Sequence, residues 1–96
     1  MQAVLRQYSG KGAAELFAVL EKHSADLQPL MQSVKGFVSY TCARNATGGF
    51  TVTICQDKAG IDESIQKAKD WIAKHGSNLG AAPPSVSVGD VVVHVK

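Results

Sequence analysis

The chain has 96 residues, of which 45% are apolar and 19% charged, and this balance excludes an intrinsically disordered protein. Its length predicts a single domain over residues 1–96. The net charge of +2 comes from scattered lysines and two arginines, so the sequence lacks the concentrated basic face of a protein that binds nucleic acid.

No apolar stretch approaches the roughly 20 residues that span a bilayer, so we expect no membrane partner. The first residues, Met1–Gln7, lack the basic and then apolar pattern of a signal peptide. We therefore expect a cytoplasmic protein in which Cys42 and Cys55 stay reduced.

The first part of the chain predicts a strand followed by helical structure. Residues 2–8 are expected to form the strand, and Ser9–Gly12 breaks it. Pro29 predicts a bend or a restart of the following helix, because it lacks the N–H of a helix interior. Gly36 predicts the end of the helix, since glycine readily adopts a left-handed conformation. The helical spacing before Pro29 is carried by Ala13, Leu16, Phe17 and Leu20.

Residues Gly36–Cys55 predict a β-hairpin that has no clean polar face. Both faces of its strands carry apolar, aromatic, Thr, Ser or Cys side chains, whereas a strand that meets water on one side alternates apolar and charged residues. A loop at Gly48–Gly49 suits a tight primed turn and would place Cys42 opposite Cys55. The register stays open, because Asn45–Thr47 can extend the loop.

The last part of the chain predicts a capped helix and a final strand. Asp57 is suited to an N-cap, and the helix is expected over residues 59–75. Residues 77–84 form a connector whose two prolines favour an extended path. The final strand is expected at Asp90–Val95, and a short extended piece, Ser85–Val88, can precede it.

The predicted order of elements is β-α-β-β-α-β. This order is typical of an α+β ferredoxin-like fold, in which a four-stranded antiparallel sheet carries helices on one face. Because the hairpin offers no polar face, the second face of the sheet needs a cover, and a second copy of the chain is the simplest one. We therefore expect a homodimer formed through the sheet face.

The hairpin and the helix after it resemble the dimeric α+β barrel superfamily, and in particular its antibiotic-biosynthesis-monooxygenase-like branch. The resemblance is carried by Gly36–Tyr40, the glycine-containing turn, Thr51–Gly60, Asp62–Ser64 and Trp71–Ile72. It implies a homodimer whose sheets pack face to face, with a pocket for a small apolar or aromatic ligand between sheet and helices. Some members oxidise aromatic polyketides with oxygen and without a cofactor, and others degrade haem. For this chain we expect no cofactor.

The catalytic residues of these relatives do not carry over to this sequence. The cofactor-free monooxygenases have Asn and Trp in the third strand, where this chain has Thr53 and Asp57. The Trp and His that haem-degrading members carry on the second helix are spaced more widely than Trp71 and His75. Those members also use an Asn on the first strand, where this chain offers only Arg6, Gln7 and Tyr8.

The candidate catalytic residues are His75 and His23, and the candidate pocket residues are Trp71, Tyr40 and Thr53. Trp71 and His75 lie one helical turn apart, so a ring that stacks on a flat substrate would adjoin a histidine that acts as a base. His23 would enter the same pocket from the first helix. The structural alternative is packing for the two aromatic residues and a solvent-facing helix end for each histidine.

The sequence favours neither a metal site nor a redox pair. Its three histidines lie on separate elements and lack metal-ligand spacing. Cys42 and Cys55 form no Cys-x-x-Cys motif, and cysteines in buried strands mostly serve as small apolar side chains. A redox pair stays open only if the hairpin register brings the two together.

Two functions remain open from the residues alone. The first is a small-molecule-binding homodimer with cofactor-independent monooxygenase activity on an aromatic or quinone-like compound, in which a histidine would remove a proton to form an oxygen-reactive anion. The second is a non-catalytic binding or structural dimer of the same fold, which the missing catalytic residues favour. Haem degradation is a third and less favoured hypothesis.

Overall fold

The structure is a computed structural model that describes residues 1–95, and these residues form four strands and three α-helices. The strands are β1 (Gln2–Ser9), β2 (Phe37–Asn45), β3 (Gly48–Cys55) and β4 (Ser85–Asp90). The helices are α1 (Ala13–Lys22), α2 (Ser24–Gln32) and α3 (Lys58–His75), and a short 3-10 helix, Ser77–Leu79, follows α3.

The four strands form one antiparallel sheet in the order β2-β3-β1-β4. Buried residues alternate along β1 and β3, so they share one face of the sheet, and the three helices pack on that face. This arrangement confirms the predicted ferredoxin-like α+β fold. The members of the buried face on β1 and β3 include Val4, Arg6, Tyr8, Thr51, Thr53 and Cys55.

The helical segment before β2 breaks at His23, whereas the sequence predicted a bend or a restart at Pro29. His23 has φ −104° and ψ 22°, and its carbonyl oxygen accepts the backbone N–H groups of Asp26 and Leu27 in the first turn of α2. Pro29 lies inside α2, where its missing N–H affects only the carbonyl of Ala25, a residue exposed to water. The helix ends at Gln32, and Gly36 adopts its left-handed conformation, with φ +71°, in the loop before β2.

The turn of the β2–β3 hairpin lies at Ala46–Thr47, so the loop predicted at Gly48–Gly49 is wrong. Asn45 stabilises the turn, since its side-chain oxygen accepts a backbone N–H of the turn at 3.1 Å. The two glycines instead begin β3, where a side chain on Gly49 would collide with the ring of Phe17. Close packing of β3 against α1 therefore requires glycine there.

This turn sets a register in which the two cysteines do not face each other. Cys42 lies opposite Thr51, and Cys55 lies opposite Phe37, so the pairing of the cysteines predicted from the glycine loop is wrong. Both cysteines are free thiols. Cys55 is fully buried among apolar residues and acts there as a small apolar side chain.

The last strand is Ser85–Asp90, so the strand predicted at Asp90–Val95 is wrong and the short piece before it is the edge strand. β4 pairs with β1 until Asp90 lies opposite Gln2, where β1 begins. Residues 91–95 therefore lie beyond the end of the strand that β4 pairs with. Three of them are strongly exposed, namely Val92, Val93 and Val95.

The N-terminus of α3 is capped by Asp57, as the sequence predicted. The Oδ1 atom of Asp57 accepts the backbone N–H of Gly60 at 3.1 Å. Such a cap contributes about 1 kcal/mol to helix stability. The cap fixes the residue at which α3 begins. The helix then packs on the sheet through its buried residues.

The sheet face turned away from the helices has no charged side chain among residues 1–95. Its centre is apolar and is formed by Leu5, Val52 and Ile54. A sheet face that is exposed to water normally carries charged side chains. Alternation along the strands assigns to this face Ala3, Leu5, Gln7, Ser39, Thr41, Ala43, Phe50, Val52, Ile54, Ser85, Ser87 and Gly89.

Candidate functional site

A cavity of about 280 Å³ opens between β2 and the helices α1 and α2, and we call it the outer cavity. Its volume lies at the lower end of the roughly 300–1,000 Å³ that small-molecule sites occupy. Its apolar and aromatic walls are Phe17, Leu20, Leu27 and Tyr40. Its polar groups are Glu21, Ser24, Gln28, Cys42 and Arg44.

An ion pair spans the rim of the outer cavity. The Nη1 atom of Arg44 on β2 lies 3.2 Å from a carboxylate oxygen of Glu21 on α1. Both side chains are mostly exposed, so the pair adds at most about 1 kcal/mol to stability. Its structural effect is to neutralise the positive charge of Arg44 at the cavity rim.

A narrow cleft adjoins the outer cavity on its inner side, and we call it the inner cleft. The two spaces share Leu20, Leu27 and Tyr40 as walls. The inner cleft has a volume of only about 10 Å³, which is about the room that one water molecule needs. Its other lining residues include Arg6, Tyr8, Thr51 and Trp71. Tyr40 is therefore the aromatic wall between a ligand-sized cavity and a tight aromatic cleft.

Arg6 is the buried charge of this site. Its side chain projects from β1 toward the helices, and only 4% of the residue is exposed. The Nε atom donates a hydrogen bond to Oγ1 of Thr51 at 3.1 Å, and this is the one side-chain hydrogen bond of Arg6 within residues 1–95. No carboxylate of the described residues forms an ion pair with Arg6.

Three ionisable groups lie around this arginine. Burial raises the pKa of Tyr8, Tyr40 and the Cys42 thiol, and it is the largest cause at each of them. The positive charge of Arg6 opposes the rise in pKa at all three. Both phenols therefore stay protonated at neutral pH and can donate a hydrogen bond.

His23, Trp71 and His75 form one aromatic cluster between the α1–α2 break and the end of α3. The ring centroids of Trp71 and His75 are 4.4 Å apart, and those of His23 and His75 are 5.2 Å apart. The Nδ1 atom of His23 lies 3.6 Å from the carboxylate of Asp26. The structure thus brings together the tryptophan and both histidines that the sequence singled out.

The cluster touches the inner cleft only through Trp71. Neither His23 nor His75 is among the residues that line the outer cavity or the inner cleft, and His75 borders a shallow surface depression on the other side of Trp71. A catalytic role for either histidine therefore stays a prediction, and it would need the indole ring to be displaced or the substrate to bind outside it.

The other two candidate residues lie on the sheet. Tyr40 lines both spaces. Thr53 lies opposite Tyr40 in the strand register, is fully buried and lines neither space. Its Oγ1 atom is buried and has no hydrogen-bond partner within residues 1–95, which costs about 1–3 kcal/mol.

Sequence reasoning did not select Arg6 as a site residue. The signal was present, because Arg6 stands between Val4 and Tyr8 at period two, on the face that a strand turns toward its core. A charge in such a position indicates a functional group, since arginine is almost never fully buried without a partner.

The described residues give no indication of a metal centre. Across residues 1–95, no group of three or more His, Cys, Asp or Glu side chains is arranged to hold a metal ion. In the same part of the chain, no helix combines the length and the apolar character needed to cross a membrane. The candidate site combines aromatic and aliphatic walls with the Cys42 thiol, the Arg44–Glu21 ion pair and the buried Arg6.

Comparison with known proteins identifies the fold. No family profile matches the sequence, and no curated protein is significantly similar to it. A protein of unknown function from Nitrosomonas europaea superposes with a TM-score of 0.73 at 15% identity, over 99% of this chain and 91% of that one.

Two further structures share the fold and were solved with ligands. A monooxygenase of Streptomyces coelicolor, from the gene ActVA-Orf6 and in complex with nanaomycin D, has a TM-score of 0.63 at 17% identity, over 99% of this chain and 89% of that one. A variant of MhuD with two manganese protoporphyrin IX molecules per active site has a TM-score of 0.67 at 21% identity, over 99% and 97%. These similarities show that the chain shares the α+β fold of these proteins.

Proposed function

We propose that this protein is a cytoplasmic homodimer that binds a small, flat aromatic or quinone-like compound in the outer cavity. The observation that carries the proposal is the outer cavity itself. Its volume is close to that of small-molecule sites, its walls are mainly apolar, and a few polar groups lie at its rim. Phe17 and Tyr40 supply aromatic surfaces for a planar ligand.

The polar rim would orient the ligand. Cys42, Gln28 and Ser24 offer groups that can hydrogen-bond to ring oxygens, while Leu20 and Leu27 exclude water from the ring. The nanaomycin complex of the monooxygenase with the same fold supports a ligand of this class. The two cysteines lie on different strands, do not face each other and are free thiols, as expected of a protein in a reducing compartment.

Dimerisation is supported by the uncharged sheet face. Residues of all four strands share that face, none of those within residues 1–95 is charged, and its centre is formed by Leu5, Val52 and Ile54. A second copy of the chain offers an identical surface, which is the requirement of a two-fold symmetric interface. Burial of both faces would then remove the apolar centre of each sheet from water.

Protection of Cys42 tests where the ligand binds. Cys42 lines the outer cavity and Cys55 is buried, so iodoacetamide should alkylate Cys42 alone in the folded protein. We expect millimolar 2-naphthoate or 2-naphthamide to slow this alkylation, as measured by mass spectrometry. Neither probe has a ring position that reacts with thiols, so protection would report occupancy of the cavity.

A pair of variants on α2 supplies the control. Gln28→Trp should fill the outer cavity and abolish the heat of probe binding in calorimetry, because Gln28 lines it. Gln32→Trp, one turn further along the same exposed helix surface, should leave binding unchanged. Absence of binding of both probes to the wild-type protein would refute the proposed function.

Cofactor-independent oxidation is the second candidate function, and the convergence of His23 and His75 on Trp71 favours it. A histidine would take a proton from a dihydroxyanthracene-type substrate, and the resulting anion would reduce oxygen. One oxygen atom would enter the ring carbon as a carbonyl, and the other would leave as water with the two hydrogens lost by the substrate. Absence of oxygen uptake by the wild-type protein would exclude this activity, and uptake that is unchanged from wild type in both His23→Ala and His75→Ala would exclude the histidine mechanism.

A further inference from the structure

We infer that Arg6 forms an anion-binding subsite in the inner cleft beside the outer cavity, so that the ligand is an aromatic compound with an ionised oxygen group. This inference rests on the proposed function and specifies its ligand class. Tyr40 separates the two spaces, and the inner cleft has room for about one water molecule, so binding requires the Tyr40 ring to turn aside and admit the anionic group.

The first argument is the missing partner of a buried charge. A guanidinium carries five N–H donors, and the one side-chain hydrogen bond of Arg6 within residues 1–95 uses only Nε. Buried charges in proteins are normally paired or fully hydrogen-bonded, because an isolated one loses its hydration. With 96% of its surface covered and no ion pair within the described residues, Arg6 retains the donors that a carboxylate or an enolate oxygen accepts.

The second argument is the direction of the side chain. Arg6 also borders a second cleft of about 260 Å³ on the β4 side of the sheet. However, β3 and β4 flank β1 on opposite sides, and the hydrogen bond to Thr51 draws Nε toward β3. The Nε edge of the guanidinium therefore lies on the β3 side of β1, where the inner cleft opens.

The third argument is the chemistry around the guanidinium. Tyr8 and Tyr40 line the same cleft, and burial raises the pKa of both phenols, so they remain hydrogen-bond donors at neutral pH. The other arginine at the site, Arg44, is already paired with Glu21. Arg6 is thus the cation of the site that lacks a counter-charge among residues 1–95, and the phenols can help it hold an anionic oxygen.

The test compares two probes of equal shape and different charge. 2-Naphthoate carries a carboxylate at neutral pH, and 2-naphthamide replaces it with a neutral amide. Since a hydrogen bond to a charged group is worth about one factor of ten in affinity, we expect wild-type protein to bind 2-naphthoate about tenfold or more tightly than 2-naphthamide. Isothermal titration calorimetry measures both dissociation constants.

Three variants assign the preference to Arg6. Arg6→Met should bind the two probes equally while its affinity for 2-naphthamide stays within about twofold, and Arg6→Lys should keep part of the preference because it keeps the charge. Lys22→Met removes a positive charge from an exposed position outside the site and should keep the full preference. Retained binding of 2-naphthamide shows that Arg6→Met is folded.

The outcomes separate the two proposals. Equal binding of both probes to the wild-type protein, or a preference that survives in Arg6→Met, would overturn the anion subsite and leave the proposed function intact. Failure of both probes to bind the wild-type protein would overturn both.

Discussion

The Nε atom of Arg6 lies 3.1 Å from the Oγ1 atom of Thr51, and this contact holds a buried guanidinium beneath the helices without a carboxylate among residues 1–95 to balance it. A buried charge of this kind lowers the stability of the folded state, because it loses hydration without regaining an ion pair. The same arrangement prepares the site for a ligand that supplies the missing charge.

Arg6→Met should therefore stabilise the ligand-free protein. We expect the free energy of unfolding to rise by about 1 kcal/mol or more, because a buried charge is replaced by an apolar side chain of similar length. Urea denaturation followed by circular dichroism measures this change. Arg44→Met, which removes only the exposed ion pair with Glu21, should change stability by less than about 1 kcal/mol. A less stable Arg6→Met variant would contradict the account of Arg6 as an uncompensated charge.

The two thiols should differ sharply in reactivity. Cys42 is accessible and Cys55 is fully buried, so one thiol per chain should react with Ellman's reagent in the folded protein and two after unfolding. Because burial raises the pKa of Cys42 above its ordinary value of 9.0, its reaction rate should keep increasing as the pH rises through 9. Cys42→Ser should abolish the reaction of the folded protein, and Cys55→Ser should preserve it. Rapid reaction of both thiols in the folded protein would contradict the burial of Cys55.

Glu63 should make stability depend on pH in the acid range. It accepts the backbone N–H of Lys35 at 3.2 Å and lies 3.2 Å from Nζ of Lys67, and these contacts hold its pKa below the ordinary value of 4.5. A lowered pKa in the folded state stabilises the protein above pH 4.5, and this contribution is lost as the pH falls through the folded-state pKa.

We therefore expect Glu63→Gln to melt at a lower temperature than the wild-type protein at pH 7, and the two melting temperatures to converge as the pH falls below the folded-state pKa. Differential scanning fluorimetry across pH 2 to 7 measures both, in steps of about one unit. Asp62→Gln, on the exposed side of the same turn, serves as the control for a lost carboxylate. A melting-temperature difference that persists unchanged at the lowest pH would contradict this assignment.

A charge at the centre of the sheet face should dissociate the proposed homodimer. The side chain of Val52 lies on that uncharged face, so Val52→Lys would place a buried charge of the same sign on each of the two packed sheets. Light scattering should give about twice the chain mass of 10.1 kDa for the wild-type protein and about that mass for the variant. Ala18→Lys, on the exposed surface of α1, should remain dimeric. A wild-type mass equal to one chain would contradict the homodimer.

Much of the fold could be predicted because local patterns and tertiary packing agree. The alternation in β1, the cap at Asp57 and the periodicity of α3 each have a local cause, and each lies where the sequence predicted it. The sequence favoured a loop at Gly48–Gly49 and left Asn45–Thr47 open as an extension of it, because two glycines suit a primed turn, whereas in the structure Gly49 serves the contact with α1. That requirement is tertiary, so no local rule reveals it.

The last strand was misplaced for a related reason. The run of valines near the C-terminus has strong β propensity, yet a strand needs a neighbour, and β1 ends opposite Asp90. The break at His23 likewise depends on packing, because its aromatic ring joins Trp71 and His75. β propensity alone therefore selected the wrong segment, and the extent of β1 decides where β4 ends.

The candidate site was predictable only in part. The sequence selected Tyr40 and Trp71, which line the inner cleft, because aromatic residues at such positions are natural pocket walls. The sequence also predicted His23 and His75 as candidate catalytic residues, and their rings cluster with that of Trp71. It did not identify Arg6, since only the structure reveals that its neighbours include no carboxylate among residues 1–95.

The most direct test of a ligand site between sheet and helices is a crystal structure of the protein with 2-naphthoate. We expect the naphthalene ring in the outer cavity beside Tyr40 and its carboxylate about 2.9 Å from the terminal nitrogens of Arg6. A naphthoate bound elsewhere, with the outer cavity empty and Arg6 unliganded, would contradict the account.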